Sequence, residues 1–351
     1  MDDASDEPIR VMNGDRVLAV QWWGDPEGHP VFLMHGMPGS RIGPRPRGIM
    51  LERMGIKLIS YDRPGYGMSD RHPGRTVASA GEDVERIATE LGIEKFAVVG
   101  RSGGGPHALA CAARLPNRVQ RVAVLVSPAP PDAAGLDWSK GMGRLNTDDF
   151  ADVDRDIADA SAGATPEAVN LALRAAAIRE DPDSLIRHLQ PELSATDRRF
   201  VEDRAIRNLL LATYTEAVRE GSSGWIDDAV ALRSPWDFKF GDVLCPVLLW
   251  HGGEDRFAPA SHTVWMAERL RSARGRLNMD EIVVQIDEGV AHFGAFEVFP
   301  EVLTWLIDPH RIGVPSLVRK AINRSHGDLG HRRATLPRSD APVRPGSPAG
   351  Q

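Results

Sequence analysis

The stretch Val98-Val99-Gly100-Arg101-Ser102-Gly103-Gly104 is a β-branched run that ends in Gly-x-Ser-x-Gly and is followed by a helical pattern. It reads as a strand turning sharply into a helix. Such a turn holds its central serine in a strained conformation with Oγ pointing outward, and glycines flank it because a Cβ there would clash. Ser102 is therefore the candidate nucleophile. Glycine and serine also build ordinary turns, so the pentapeptide takes its meaning from its surroundings.

A serine hydroxyl is a poor nucleophile until a histidine takes its proton, and the imidazolium that forms needs a buried carboxylate beside it. In the strand-to-helix arrangement the acid and then the histidine follow the serine in the chain, each on a loop after a strand. The apolar run Pro246-Val247-Leu248-Leu249-Trp250-His251 opens into Gly252-Gly253-Glu254-Asp255-Arg256, which places Asp255 just past a strand end. Ile282-Val283-Val284-Gln285-Ile286 leads in the same way to Gly289-Val290-Ala291-His292. Asp255 is the candidate acid and His292 the candidate base. Glu254 is an alternative orienting carboxylate, as is Asp132, which follows the apolar run Val122 to Val126; an aspartate after a strand also serves as a turn former or helix cap.

Negative charge developing on a substrate oxygen needs N–H donors already aimed at it. One is the N–H of Gly103, at the start of the helix after Ser102, where the helix dipole assists. The second is sought after an earlier strand, where Val31-Phe32-Leu33-Met34-His35 runs into Gly36-Met37-Pro38-Gly39-Ser40. Met37 is the candidate, because Pro38 has no N–H and the flanking glycines permit close approach. Taken alone, the same segment is a Gly/Pro turn that His35 and Ser40 shape.

With these residues assembled, the chain resembles the α/β-hydrolase family over most of residues 16–307. The resemblance is carried by His35-Gly36-Met37-Pro38, by Asp62-Arg63-Pro64-Gly65-Tyr66-Gly67-Met68-Ser69, by the turn around Ser102, and by the Asp255 loop with His292. It implies an α/β fold with a mostly parallel eight-stranded sheet flanked by helices, an inserted helical cap, and Ser102, Asp255 and His292 as a triad. Family members cleave esters, lactones, amides, carbon–carbon bonds, epoxides or carbon–halogen bonds; the last two use an aspartate where this chain has Ser102. The loop Gly36-Met37-Pro38-Gly39 is also similar to that of proline iminopeptidases. Those carry a double glycine before the proline and a tryptophan after the serine, where Met37 and Gly103 stand here.

The remaining features are consistent with one α/β core and an insertion. The 351 residues, 42% of them hydrophobic, suffice for a sizeable core. Residues 16–127 alternate strand runs with helical patterns such as Ser79 to Leu91 and Pro106 to Leu115, and residues 241–307 resume the sheet and close with a helix expected over Phe296 to Ile307. Between them, 128–240 is helical in pattern and reads as the cap, whose Trp138, Phe150, Tyr214, Trp225 and Trp236 either line a pocket or form core. Residues 1–15 read as an N-terminal extension. From 308 to 351 the content shifts to Arg, Pro, Ser and Gly with a net charge of +5, so in a chain of total −7 the preceding residues carry −12. That basic segment is expected to be a solvated, disordered tail.

An acidic N-terminus and the lack of a long apolar stretch lead us to expect a cytoplasmic protein with no membrane partner. Neither a nucleic-acid partner, a metal nor a cofactor is expected, since there is no Gly-rich phosphate loop or ligand cluster. Cys111 and Cys245 are expected to be buried free thiols. The expected function is hydrolysis of a small-molecule ester or lactone through an acyl-enzyme on Ser102. The alternatives are a proline iminopeptidase-like amide hydrolase and a non-catalytic binding protein on the same fold.

Overall fold

Alternate residues of the central strands pack into two different apolar layers, and this alternation is what makes the sheet the middle of a sandwich. Phe32, Val98, Val122 and Val124 belong to one layer, and Val31, Val99, Ala123 and Leu125 to the other. A strand buried on both faces reads as a continuous apolar run, as Phe96 to Val99 does. The computed structural model describes residues 7–160, 168–274 and 281–308.

The eight strands are β1 (Ile9–Asn13), β2 (Arg16–Gly24), β3 (His29–Met34), β4 (Ile56–Tyr61), β5 (Phe96–Arg101), β6 (Val119–Leu125), β7 (Val247–Gly252) and β8 (Ile282–Asp287). They lie in the order β1-β2-β4-β3-β5-β6-β7-β8. The β1/β2 and β2/β4 pairs are antiparallel and all others parallel. The fold is thus the α/β-hydrolase arrangement of a mostly parallel eight-stranded sheet with helices. Residues 9–13, read from sequence as part of an extension, instead form the edge strand β1, with Ile9 opposite Val20. The overlooked signal was Asn13-Gly14 between alternating apolar residues, a hairpin turn whose glycine adopts φ +62°.

Helices α1 (Gly48–Arg53), α2 (Ser79–Glu90) and α3 (Gly104–Arg114) connect the early strands. Between β6 and β7 come α4 (Arg144–Ala160), α5 (Val169–Glu180), α6 (Ser184–Leu189), α7 (Ala195–Glu202), α8 (Arg204–Ala217) and α9 (Ser223–Arg233). These six contribute a separate apolar cluster with Leu171, Ile178, Leu210 and Trp225, into which Tyr66 and Phe293 reach from the sheet side. α10 (Ser261–Arg274) and α11 (Phe299–Ile307) complete the set. The last helix starts later than expected: His292–Phe296 forms a 3₁₀ turn, and Pro300, which lacks an N–H, sits in the first turn of α11.

Cys111 and Cys245 are buried and free. Residues 1–6 and the basic segment from 309 onward lie outside the described residues, so the reading of a disordered tail does too. Among the described residues no helix is long and apolar enough to cross a membrane.

Candidate active site

Because β3, β5, β7 and β8 run parallel, their carboxyl ends meet at one edge of the sheet, where ligands bind in open α/β folds. All five candidate residues of the sequence reading follow these ends. Ser102 directly follows β5 with φ +53°, a left-handed conformation that is costly for a residue with a Cβ. Hydrogen bonds hold it there: Ser102 N–H donates to Leu125 O at 2.8 Å, and its carbonyl accepts from Gly105 N–H at 3.0 Å and Ser127 Oγ at 2.9 Å.

The glycines of the turn are sterically required. A Cβ on Gly100 would lie 2.3 Å from Gly104 O, and one on Gly104 would lie 2.2 Å from Met34 O, so backbone and not a mobile side chain fills the space. Gly104→Ala is therefore expected to cost about 3 kcal/mol, the upper end of overpacking effects. A melt that leaves the variant within a degree of wild type would show that β3 and the turn can move apart.

The Asp255 carboxylate is fully buried and satisfied on both oxygens. Oδ1 accepts Phe257 N–H at 2.8 Å and Ala258 N–H at 3.1 Å; Oδ2 accepts His292 Nδ1–H at 2.8 Å and His251 Nε2–H at 3.1 Å. Burial opposes its ionisation, but His292 and the bonds from both rings outweigh burial and hold the carboxyl well below the ordinary carboxylate range. With Nδ1 committed to donating, His292 keeps Nε2 as its acceptor on the opposite side of the ring. The two alternative acids lie elsewhere. Glu254 is exposed and faces Thr196 Oγ1 at 3.4 Å, and Asp132 is exposed beside Pro130 and Trp265.

In sequence His251 is only the end of an apolar run, yet it touches the same carboxylate oxygen as His292. Its Nε2 faces two acceptors, Asp255 Oδ2 and Ala258 O (2.5 Å), so that nitrogen carries hydrogen. Its Nδ1, 2.7 Å from Thr263 Oγ1, then accepts the threonine hydroxyl. A second carboxylate, Asp197 of α7, accepts Phe293 N–H at 2.7 Å; burial raises its pKa while the neighbouring His292 opposes the rise. Nothing in its local sequence marks it, since it also sits in the first turn of an ordinary capped helix.

The Met37 and Gly103 loops are in contact: a Cβ on Gly103 would lie 2.8 Å from Met37 Cβ and 3.5 Å from Met37 N. The orientation of the Met37 N–H follows from its own peptide group. Gly36 O accepts His35 Nδ1–H at 2.8 Å and Arg63 Nη2 at 3.0 Å, and the N–H of a planar trans peptide points opposite to its C=O. Met37 N–H therefore faces away from Arg63. His35 is fixed in the same tautomer from its other side, where Nε2 accepts Arg63 N–H at 3.1 Å. Burial and the adjacent Arg63 keep its pKa well below the ordinary histidine value, so the ring is neutral.

Arg63 is in turn held by Asp228 of α9. The Asp228 carboxylate also receives Arg75 Nη1 at 2.6 Å and Tyr66 OH at 3.1 Å, with His107 Nε2 3.4 Å away. This cluster joins the loop after β3 to the helices between β6 and β7. Sequence reading singled out the Asp62–Ser69 segment but had no means to pair Arg63 with a residue 165 positions later.

Ser102, Met37, Gly103 and His292 line one cavity of about 120 Å³. Its walls include Phe150, Leu171, Leu185, Tyr214 and Trp225. An engineered cavity of about 150 Å³ holds benzene, so the space fits a group of comparable or smaller size. Of the five cap aromatics singled out in the sequence, Trp138 and Trp236 do not line it. Trp138 packs on Phe150 and bonds Ala129 O, and Trp236 stacks on Phe238.

The sheet order and the strand-to-helix serine turn define a class, and the chain belongs to the α/β-hydrolase fold family, whose model matches residues 29–289. Among characterised relatives, it is similar to a 2-hydroxymuconate semialdehyde hydrolase from Pseudomonas putida, 36% identical over 33% of this chain and 43% of that protein. It is also similar to a proline iminopeptidase from Neisseria gonorrhoeae, 31% identical over 35% of this chain and 41% of that one. The chain thus aligns with about two fifths of the length of these relatives. A thermophilic esterase from Thermogutta terrifontis superposes over 91% of this chain and 99% of its own with a TM-score of 0.58 and 19% identity, a likeness of fold.

Proposed function

We propose that this protein is a serine hydrolase that cleaves an ester or lactone of a small organic molecule through an acyl-enzyme on Ser102. The observation that carries the reading is the His292–Asp255 pair, whose Nδ1–H···Oδ2 bond leaves Nε2 to accept a proton within the cavity that Ser102 lines.

In this mechanism Ser102 Oγ attacks the substrate carbonyl as its proton passes to His292 Nε2. Asp255 stabilises the imidazolium and keeps the ring in the tautomer that can accept. The N–H groups of Met37 and Gly103 receive the oxyanion, with Gly103 at the positive end of α3. His292 then returns the proton to the leaving oxygen. A water activated by the same ring cleaves the acyl-enzyme. His251 acts as a positioning residue that holds Asp255 through Oδ2.

Amide cleavage after an N-terminal residue, as the name of the Neisseria relative describes, finds less support in the cavity. Recognition of a substrate ammonium is favoured by a surplus of negative charge, whereas the wall carries the two cations Arg101 and Arg174 against Asp149, whose Oδ2 is ion-paired with Arg174 and whose Oδ1 has no partner among the described residues.

The test is covalent labelling. Wild-type protein treated with an organophosphonate ester is expected to gain one adduct mapping to Ser102, and Ser102→Ala none, by intact-protein and peptide mass spectrometry. A folded wild type that gains no mass at Ser102 favours a ligand-binding protein on this fold instead.

A further inference from the structure

We propose that Arg101, the residue preceding Ser102, is a specificity-determining group that recognises a carboxylate on the substrate, so that the preferred substrates are esters or lactones carrying a second, anionic carboxyl group. The proposal rests on the hydrolase reading above and adds the chemical class of its substrate.

Arg101 differs from the arginines around it in having no acid. Arg63 and Arg75 share Asp228, Arg41 is paired with Asp62 and Glu216, and Arg174, which also lines the cavity, with Asp149. Among the described residues, Arg101 has no hydrogen-bond or ion-pair partner for its guanidinium. Its contacts are the face of Phe296, 4.0 Å from the guanidinium carbon, and a through-space influence of Tyr214. Arg101 is half-buried and lines the Ser102 cavity as well as a smaller one shared with His35, Gly36 and Thr213. Burial draws its pKa down to about 10, which leaves it cationic at neutral pH.

A cation taken from water without a counter-charge is costly, and a fold that needs only apolar volume against Phe296 would be served by methionine or leucine. Guanidinium has five N–H donors in a planar fork that matches a carboxylate in two parallel bonds. The carboxylates nearby do not supply that partner: Asp149, on the wall, is ion-paired with Arg174 through Oδ2, and Asp255, which does not line the cavity, is enclosed by its four donors. The cavity therefore has one cation without an anion in a chain whose net charge is −7. Arg101 and Ser102 line the same cavity, which places the cation beside the chemistry. One residue before the serine, Arg101 can hold a carboxylate on the acyl side while the reacting carbonyl sits at Oγ. A cavity of this size suits a short diacid acyl chain, with the leaving group directed toward its opening.

The experiment compares matched pairs of p-nitrophenyl esters: the half-esters of succinate, glutarate and adipate, each against the neutral ester in which an isopropyl group replaces the distal carboxylate. Spontaneous cleavage is subtracted with Ser102→Ala protein. For at least one chain length, wild type is expected to prefer the anionic member by about 10–100-fold in kcat/KM, the range of a hydrogen bond to a charged group. Arg101→Met is expected to bring that ratio to about one, and Arg101→Lys to retain part of it. If Arg101→Met lowers both members equally and leaves the ratio in place, the residue is structural and the proposal is overturned. It is also overturned if wild type prefers the neutral member throughout.

A second measurement needs no turnover. Monomethyl glutarate and its amide analogue are titrated calorimetrically into Ser102→Ala protein, with and without Arg101→Met. At least tenfold weaker binding of the carboxylate alone in the double variant supports the proposal, and equal binding overturns it. Should no ester be cleaved and no phosphonate adduct form while this difference in binding persists, the hydrolase reading fails and the anion site stands.

Discussion

Asp255→Asn is expected to lower kcat/KM by about three to four orders of magnitude while the protein remains folded. The environment of the carboxylate explains why a nearly isosteric change has so large an effect. Four donors converge on Asp255: two backbone N–H groups on Oδ1 and two ring N–H groups on Oδ2. Asparagine offers one oxygen and one NH₂. If its oxygen stays with the backbone donors, the NH₂ faces both rings, and His292 must move its hydrogen to Nε2 to accept it. The nitrogen needed to take the serine proton is then blocked. His251 cannot adapt in the same way, because its Nε2–H also faces Ala258 O. If the amide is instead turned over, the Phe257 and Ala258 N–H groups lose their acceptor. Kinetics of Asp255→Asn, Glu254→Gln and Asp132→Asn on one ester, with melts as controls, check the expectation. The two exposed residues should matter little. A larger loss in Asp132→Asn or Glu254→Gln would assign the acid to that residue.

The contrast between Asp255 and its partner His251 shows where sequence patterns carry information and where they stop. A strand followed by a glycine-rich loop with an acid has a local signature, and so does a glycine pair around a serine. Those signatures rest on backbone sterics, which act over a few residues, as the 2.2–2.3 Å approaches at Gly100 and Gly104 show. The five candidates Met37, Ser102, Gly103, Asp255 and His292 are read from short stretches just past strand ends, and the structure brings these positions to one edge of the sheet.

His251 and Arg101 lie inside the same segments but carry no local signal, because what matters is whether the folded chain places a partner against them. For His251 that partner is four residues away but depends on how the loop folds back; for Arg101 the informative fact is the lack of one. Asp197 and Asp228 are further out of reach. Each acts through contacts over 96 or more positions, and such distances are set by how α7 and α9 dock on the sheet. The edge strand β1 was missed for another reason: its Asn-Gly turn was legible, but a five-residue segment with one fully buried side chain, Val11, gives little apolar signal.

Asp228→Asn is expected to cost about 3–5 kcal/mol, a fall in Tm on the order of 10 °C, and to slow phosphonate labelling of Ser102. Asp228 is fully buried and is the shared counter-ion of Arg63 and Arg75, which are themselves almost inaccessible. Neutralising it leaves two guanidinium groups in the interior without an anion. Arg63 also donates to His35 O at 2.5 Å and to Gly36 O, so its displacement frees the peptide that aims Met37 N–H. Burial alone would raise the Asp228 pKa, but Arg63 and Arg75 outweigh it and hold the carboxyl well below its ordinary value. A carboxylate with a depressed folded-state pKa adds stability that is present above its unfolded value and is lost as pH falls through the folded one. The Tm difference between wild type and variant should therefore be full at neutral pH, persist down to about pH 4, and narrow only in stronger acid. Asp227→Asn provides the control. That neighbour pairs at 2.8 Å with Arg71, whose side chain is 47% exposed, and an exposed pair contributes about 1 kcal/mol or less. Equal melting temperatures for the two variants would mean that α9 is held to the sheet by its apolar contacts and not by this charge cluster.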